Sequence, residues 1–235
     1  LVFSNWDTTL TAIEVNVSSP GVITHSGPIS TNISPVSNNV HIVCTNFTLD
    51  AGASINVSGK GHKGGILTAV SHGYGPGGGG WVSGGGHGGI GGRYVPYGRG
   101  GTYGAAAAPA TLGSGGGGEG SANGGNGGGA VWIEAASNIL VNGMIIANGS
   151  DSSGSGGGGS GGSILLACRT IQGADGIVHA MGGKGAYCGG GGGRIAVLYD
   201  TNAQSQLPEP TIRYSVAGGY GALVNQYGYL ELMHS

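Results

Sequence analysis

A short run of alternating apolar residues, a glycine-rich loop and a second alternating run recur four times along the chain. In register, Ile55 and Val57 lead through Gly59 to Val131 and Ile133, and Ile145 and Ala147 lead through Gly149 to Ile164 and Leu166. Val178 and Ala180 lead through Gly182 to Ile195 and Val197, and Tyr214 and Val216 through Gly218 to Leu230 and Leu232. Alternation with a period of two marks strands with one buried face. Val131, Ile164, Ile195 and Leu230 fall 33, 31 and 35 residues apart. Strands this short cannot bury a face alone, so a repeat of this period predicts coils stacked along one axis, an all-β solenoid. Ile133, Leu166, Val197 and Leu232 then form one inward core column.

The pattern divides the chain. Residues 1–38, with Pro20, Pro28 and Pro35 between short β-rich pieces, read as an N-terminal segment that covers the first coil and is available for assembly. Residues 39–235 carry the solenoid. Its first unit is interrupted at about 60–126 by a long insertion rich in glycine and aromatic residues, including Tyr74, Trp81, Tyr94, Tyr97 and Tyr103. Insertions in repeat proteins tend to lie on one face, often the binding face, which makes these five aromatics candidate adhesive residues. A purely structural decoration is the competing reading.

Composition changes the picture in one respect. The chain has 58 glycines in 235 residues, a content that ordinarily points to disorder. The glycines are gathered in blocks, however, and the apolar pairs between the blocks can bury a face. Glycine backbones in an extended three-residue helix leave every N–H and C=O free and can approach one another closely, so the blocks are expected to pack laterally as polyglycine II-like helices.

With 8 Lys+Arg and 10 Asp+Glu there is no basic surface to neutralise phosphates, and nucleic acid is not an expected partner. The longest apolar runs fall far short of a membrane span. The opening Leu1-Val2-Phe3, without Met, fits a mature secreted product. Five Asn-X-Ser/Thr sequons, at Asn16, Asn32, Asn46, Asn56 and Asn148, are candidate glycosylation sites. The three cysteines are too few for a disulfide scaffold. Cys44 and Cys168 share an inward column with Ala135 between them, about 10 Å apart for adjacent coils and beyond disulfide reach.

Catalytic constellations are not evident. The carboxylates Asp50, Glu134, Asp151, Asp175, Asp200 and Glu231 are scattered, without the neighbouring pair that glycoside cleavage needs. Gly183-Lys184-Gly185 lacks the hydroxyl residue of a phosphate-binding loop. His62, His72 and His87 are not spaced with acids or cysteines as metal ligands. No catalytic residue, metal or cofactor is therefore assigned.

The repeated Gly-Ala-Ser-Ile55-Asn-Val-Ser-Gly-Lys-Gly, Gly-Gly-Ala-Val131-Trp-Ile, Gly-Gly-Ser163-Ile-Leu-Leu and Gly-Gly-Gly-Arg194-Ile-Ala-Val resembles the glycine-rich β-solenoid segments of large secreted and cell-surface microbial proteins, over roughly residues 39–235. The polyglycine blocks are also similar in composition to phage tail-fibre adhesin tips. The resemblance implies an extracellular right-handed parallel β-helix with a structural or adhesive role, and it supplies no catalytic residues. The expectation is a non-catalytic subunit of an extracellular filament or surface layer, polymerising with itself head to tail. The alternative is an adhesive module for surface glycans, and a polysaccharide-cleaving enzyme stands last.

Overall fold

A computed structural model describes residues 1–5, 8–30, 38–66 and 71–222. Twice in each repeat the chain forms a strand. The first runs build β1 (Val2–Phe3), β3 (Val22–His25), β5 (Ser54–Asn56), β7 (Met144–Ile146), β9 (Ile177–His179) and β11 (Arg213–Ser215), which lie side by side in that order in one sheet. The second runs build β2 (Thr9–Val17), β4 (Val40–Leu49), β6 (Ala130–Val141), β8 (Ser163–Gln172) and β10 (Arg194–Leu198), which form the other sheet in chain order. Every pairing between these strands is parallel.

Register follows the apolar alternation. Ile42 pairs with Ile133, Ile133 with Leu166, and Leu166 with Val197. In the other sheet Ile55, Ile145, Val178 and Tyr214 succeed one another. The inward residues of both sheets meet in a single core that includes Ile42, Phe47, Ile133 and Leu166 from one side and Ile55, Ile145 and Val178 from the other. Cys44, Ala135 and Cys168 stand in one row, and Cys44, Cys168 and Cys188 are all free thiols. Leu232, with the expected strand around it, lies outside the described residues. Residues 1–25 add strands in the same register, with Leu10 opposite Ile42 and Val17 opposite Leu49.

The expected right-handed parallel β-helix is corrected by this topology. The strands form two separate parallel sheets of six and five strands, a layered arrangement that is not closed into a solenoid. The physical reason lies in the glycine blocks. A strand that closes a coil needs inward side chains to fill the core, and these blocks have none. They are also not projecting loops, and the stretch at 60–126 is not a separate excursion. Gly85 N–H donates to Gly158 O at 3.0 Å, Gly158 N–H to Cys188 O at 2.9 Å, and Gly191 N–H to Gly85 O at 2.8 Å, so three distant parts of the chain are bonded into one layer.

The layer is anchored where the chain passes from one sheet to the other. Gly129 N–H, Gly162 N–H and Gly193 N–H, just before β6, β8 and β10, donate to Val57 O, Ala147 O and Ala180 O, just after β5, β7 and β9. Asparagine side chains add rungs between successive repeats at the turns: Asn142 Oδ1 accepts Ala174 N–H at 2.9 Å and Asn148 Oδ1 accepts Met181 N–H at 2.8 Å. Beyond the end of β10, a short helix α1 (Thr201–Gln204) brings Gln204 against β8. Its side-chain amide accepts Ile171 N–H at 2.8 Å and donates to Ile171 O at 3.0 Å, which occupies a piece of sheet edge that would otherwise be open.

Two substitutions test which contacts hold the layers. Leu166 is fully buried, and Leu166→Ala should lower unfolding free energy by about 2–5 kcal/mol in urea titrations. A Cβ at Gly159 would come within 2.0 Å of Asn126 O, whereas at Gly98 it meets nothing within 4 Å. Gly159→Ala should therefore cost at least about 3 kcal/mol or prevent folding, and Gly98→Ala should change stability by no more than about 0.5 kcal/mol. Equal effects at the two glycines would contradict the close-packed layer.

Candidate functional site

The glycine layer places aromatic residues from separate segments on one surface. Trp81 follows Gly80, whose N–H is fixed on Gly98 O at 2.8 Å, and precedes Val82, a buried residue with φ 49°. A β-branched residue in the left-handed region costs on the order of 1–2 kcal/mol, so the turn is held by its surroundings. Ser83 Oγ accepts Tyr94 N–H at 3.0 Å and ties the second segment to this turn. The Trp81 ring then meets Tyr97 at 4.7 Å and Tyr94 at 5.8 Å, both edge to face, and Tyr94 lies 5.6 Å from Tyr187.

Of the five aromatics singled out in the sequence, Trp81, Tyr94 and Tyr97 come together here. Tyr103 does not join them. It packs on His87 at 4.8 Å, and its hydroxyl donates to Leu112 O and contacts Ser114 Oγ. Tyr74 is half-buried and is held through its backbone N–H on Lys63 O. Tyr187 and Tyr220 belong to the surface but lie outside the 60–126 stretch. Their signal in the sequence is a tyrosine flanking a glycine block, which reads no differently from a solvent-facing loop residue.

Three histidines, His25, His62 and His87, are buried, and His87 and His25 each hydrogen-bond through both ring nitrogens. His87 Nδ1–H donates to Gly161 O at 3.0 Å while Nε2 accepts from Thr111 Oγ1 at 2.8 Å. His25 Nδ1–H donates to Ser26 O at 2.7 Å while Nε2 accepts Ala130 N–H at 3.2 Å. Both rings are fully used in their neutral form. Burial is the main cause that pushes His25 down to about 4 and His87 to about 3. They join distant segments as neutral pins. Among the described residues no group of three or more His, Cys, Asp or Glu is placed to hold a metal.

On the outer face of the five-stranded sheet, Thr9 Oγ1 lies 2.9 Å from His41 Nδ1, His41 Nε2 lies 3.0 Å from Glu134 Oε1, and the imidazole stacks on Trp132 at 4.6 Å. The order hydroxyl, imidazole, carboxylate is that of a nucleophile, base and orienting acid. It lies across three neighbouring strands, with the His41 and Glu134 side chains 20% and 43% exposed, and we read it as a cross-strand ladder.

The sequons sort by contact. Asn16 and Asn56 are exposed, whereas Asn46 donates its amide to Glu14 at 2.7 Å and Asn148 is the rung to Met181. Asn32 lies outside the described residues. At the β10 and β11 end a cavity of about 530 Å³ is lined by Ile171, Val197, Tyr199, Leu207, Ile212 and Tyr214, among others. At the opposite end Leu1, Val2, Ile13 and Val22 are exposed. No helix among the described residues is long and apolar enough to cross a membrane.

No protein-family model, curated protein or solved structure matches this chain.

The histidines generate a pH prediction. The unfolded chain protonates near the ordinary 6.5, whereas the folded protein resists protonation until about 4 at His25 and about 3 at His87. Their contribution is full above pH 6.5 and is lost as pH falls below it, by about 2 kcal/mol for each ring at pH 5. Urea midpoints should drop between pH 7.5 and 5. A His87→Gln variant should be weaker at pH 7.5 and show a shallower acid dependence.

Proposed function

We propose that the chain is a non-catalytic structural subunit that assembles head to tail into an extracellular filament or surface layer. The observation that carries this reading is the pair of unlike ends. At one end the first strands leave apolar side chains in solvent, with Ile13 on β2 75% exposed. There β2 pairs with β4 alone among the described strands, so its other side offers backbone groups for a further strand. At the other end of the described residues the core borders a cavity whose apolar wall is Ile171, Val197, Leu207 and Ile212 and whose polar side includes Gln204 and Glu209. A parallel stack whose repeats succeed one another in register can be continued by a second copy, whose first strands add at strand spacing and whose side chains enter that cavity. Such a contact is heterologous, and it propagates when the rotation does not close. The free, mostly buried thiols leave this association to apolar burial and backbone pairing.

The test uses one blocked end at a time. Ile13→Glu removes the exposed apolar edge, and Leu207→Glu places a charge at the cavity. Each variant alone should stay monomeric in sedimentation velocity at concentrations where the unaltered chain forms fibres in negative-stain images. Mixed in equal amounts, they should form a dimer and stop there, since one good head and one good tail remain. An unaltered chain that is monomeric at millimolar concentration, or a mixture that stays monomeric, would overturn the reading.

A further inference from the structure

The surface built around Trp81 carries charge as well as rings. Arg93 is exposed, and its Nε donates to Tyr97 O at 3.3 Å, which holds the guanidinium against the aromatic segment. Arg99 is exposed between Gly98, whose carbonyl fixes Gly80, and Gly100, whose N–H donates to Gly84 O at 3.0 Å. The surface extends past Tyr187. Gly185 N–H donates to Tyr220 O at 3.2 Å, and Lys184 Nζ stands 6.0 Å from the centre of the Tyr220 ring. Asp151 Oδ1 accepts the Lys184 backbone N–H at 2.7 Å and leaves the ammonium over the ring. Three of the chain's 8 Lys+Arg thus accompany Trp81, Tyr94, Tyr97, Tyr187 and Tyr220.

We propose that this aromatic and cationic surface binds an acidic polysaccharide, with pyranose rings on the exposed tyrosine faces and uronate carboxylates on Arg93, Arg99 and Lys184. Aromatic faces carry negative quadrupole density that attracts the polarised C–H face of a sugar ring. The planar guanidinium fork matches a carboxylate with two parallel hydrogen bonds. A neutral glycan would offer the three cations no carboxylate. The rings need little reordering on binding, because the segments that carry them are bonded into the glycine layer and Tyr97 and Tyr187 are already packed against Trp81 and Tyr94. None of these residues lines the cavity at the β10 and β11 end or belongs to β1 or β2, and the test below reads glycan binding and not assembly.

The experiment measures binding of polygalacturonate, neutral dextran, polyphosphate and a single-stranded DNA oligonucleotide to the unaltered chain by isothermal titration. Polygalacturonate should bind saturably and weaken with salt, and dextran should bind at least about tenfold more weakly. Tyr97→Ala and Tyr187→Ala should each weaken polygalacturonate by about tenfold, and Arg99→Gln by severalfold. The Arg99→Gln variant should also show a shallower salt dependence, a readout that a folding defect does not produce. Unchanged thermal midpoints would confirm that the variants fold. The proposal is overturned if polygalacturonate does not saturate, if dextran binds as well, or if polyphosphate and the oligonucleotide bind as tightly while Tyr97→Ala changes nothing.

Discussion

The structure depends on the missing Cβ of glycine. Where side chains are absent, extended backbone segments approach closely enough for N–H groups of one to reach carbonyls of another, and the layer pairs polar groups without strands. Gly85 illustrates this, donating to Gly158 on one side and accepting from Gly191 on another. Buried backbone groups must be paired, and this layer pairs them across segments more than 70 residues apart in sequence. The two sheets supply the apolar core, and the layer joins the ends of their strands.

The same close packing governs the rest of the molecule. The His87 imidazole can be buried because Gly161 and Thr111 meet its two nitrogens, and that burial is what makes it resist protonation. The aromatic surface can be presented rigidly because Gly80 and Gly98 are bonded beneath it and Ser83 anchors Tyr94. The first and last described strands present unlike edges because a parallel stack has direction. Each functional proposal therefore draws on a consequence of packing, and neither calls on a catalytic group.

Much of the strand register was legible in the sequence, because alternation with a period of two fixes which side chains face inward. Val131, Ile164 and Ile195 are paired neighbours, as are Ile133, Leu166 and Val197. The earliest members, Leu10 and Val17, carry no repeat signature in the sequence, since their strand lacks the glycine loop that marks the others. The closed solenoid was the wrong inference: alternation shows that strands are half-buried but not whether the glycine between them completes a coil of strands. The aromatic site was half legible. Trp81, Tyr94 and Tyr97 share a segment, but Tyr187 reaches them only through contacts that no local pattern encodes, and Tyr103 was drawn inside by its partners Ser114 and His87.

Hydrogen exchange of the glycine amides tests the bonded layer most directly. In residue-resolved NMR at pH 7, the amides of Gly85, Gly116, Gly158 and Gly191 should exchange as slowly as those of Ile133 and Leu166, because they open only with the whole stack. Exchange at these glycines at the rate of an unstructured chain, with the strand amides still protected, would show that the layer does not hold and would contradict the account.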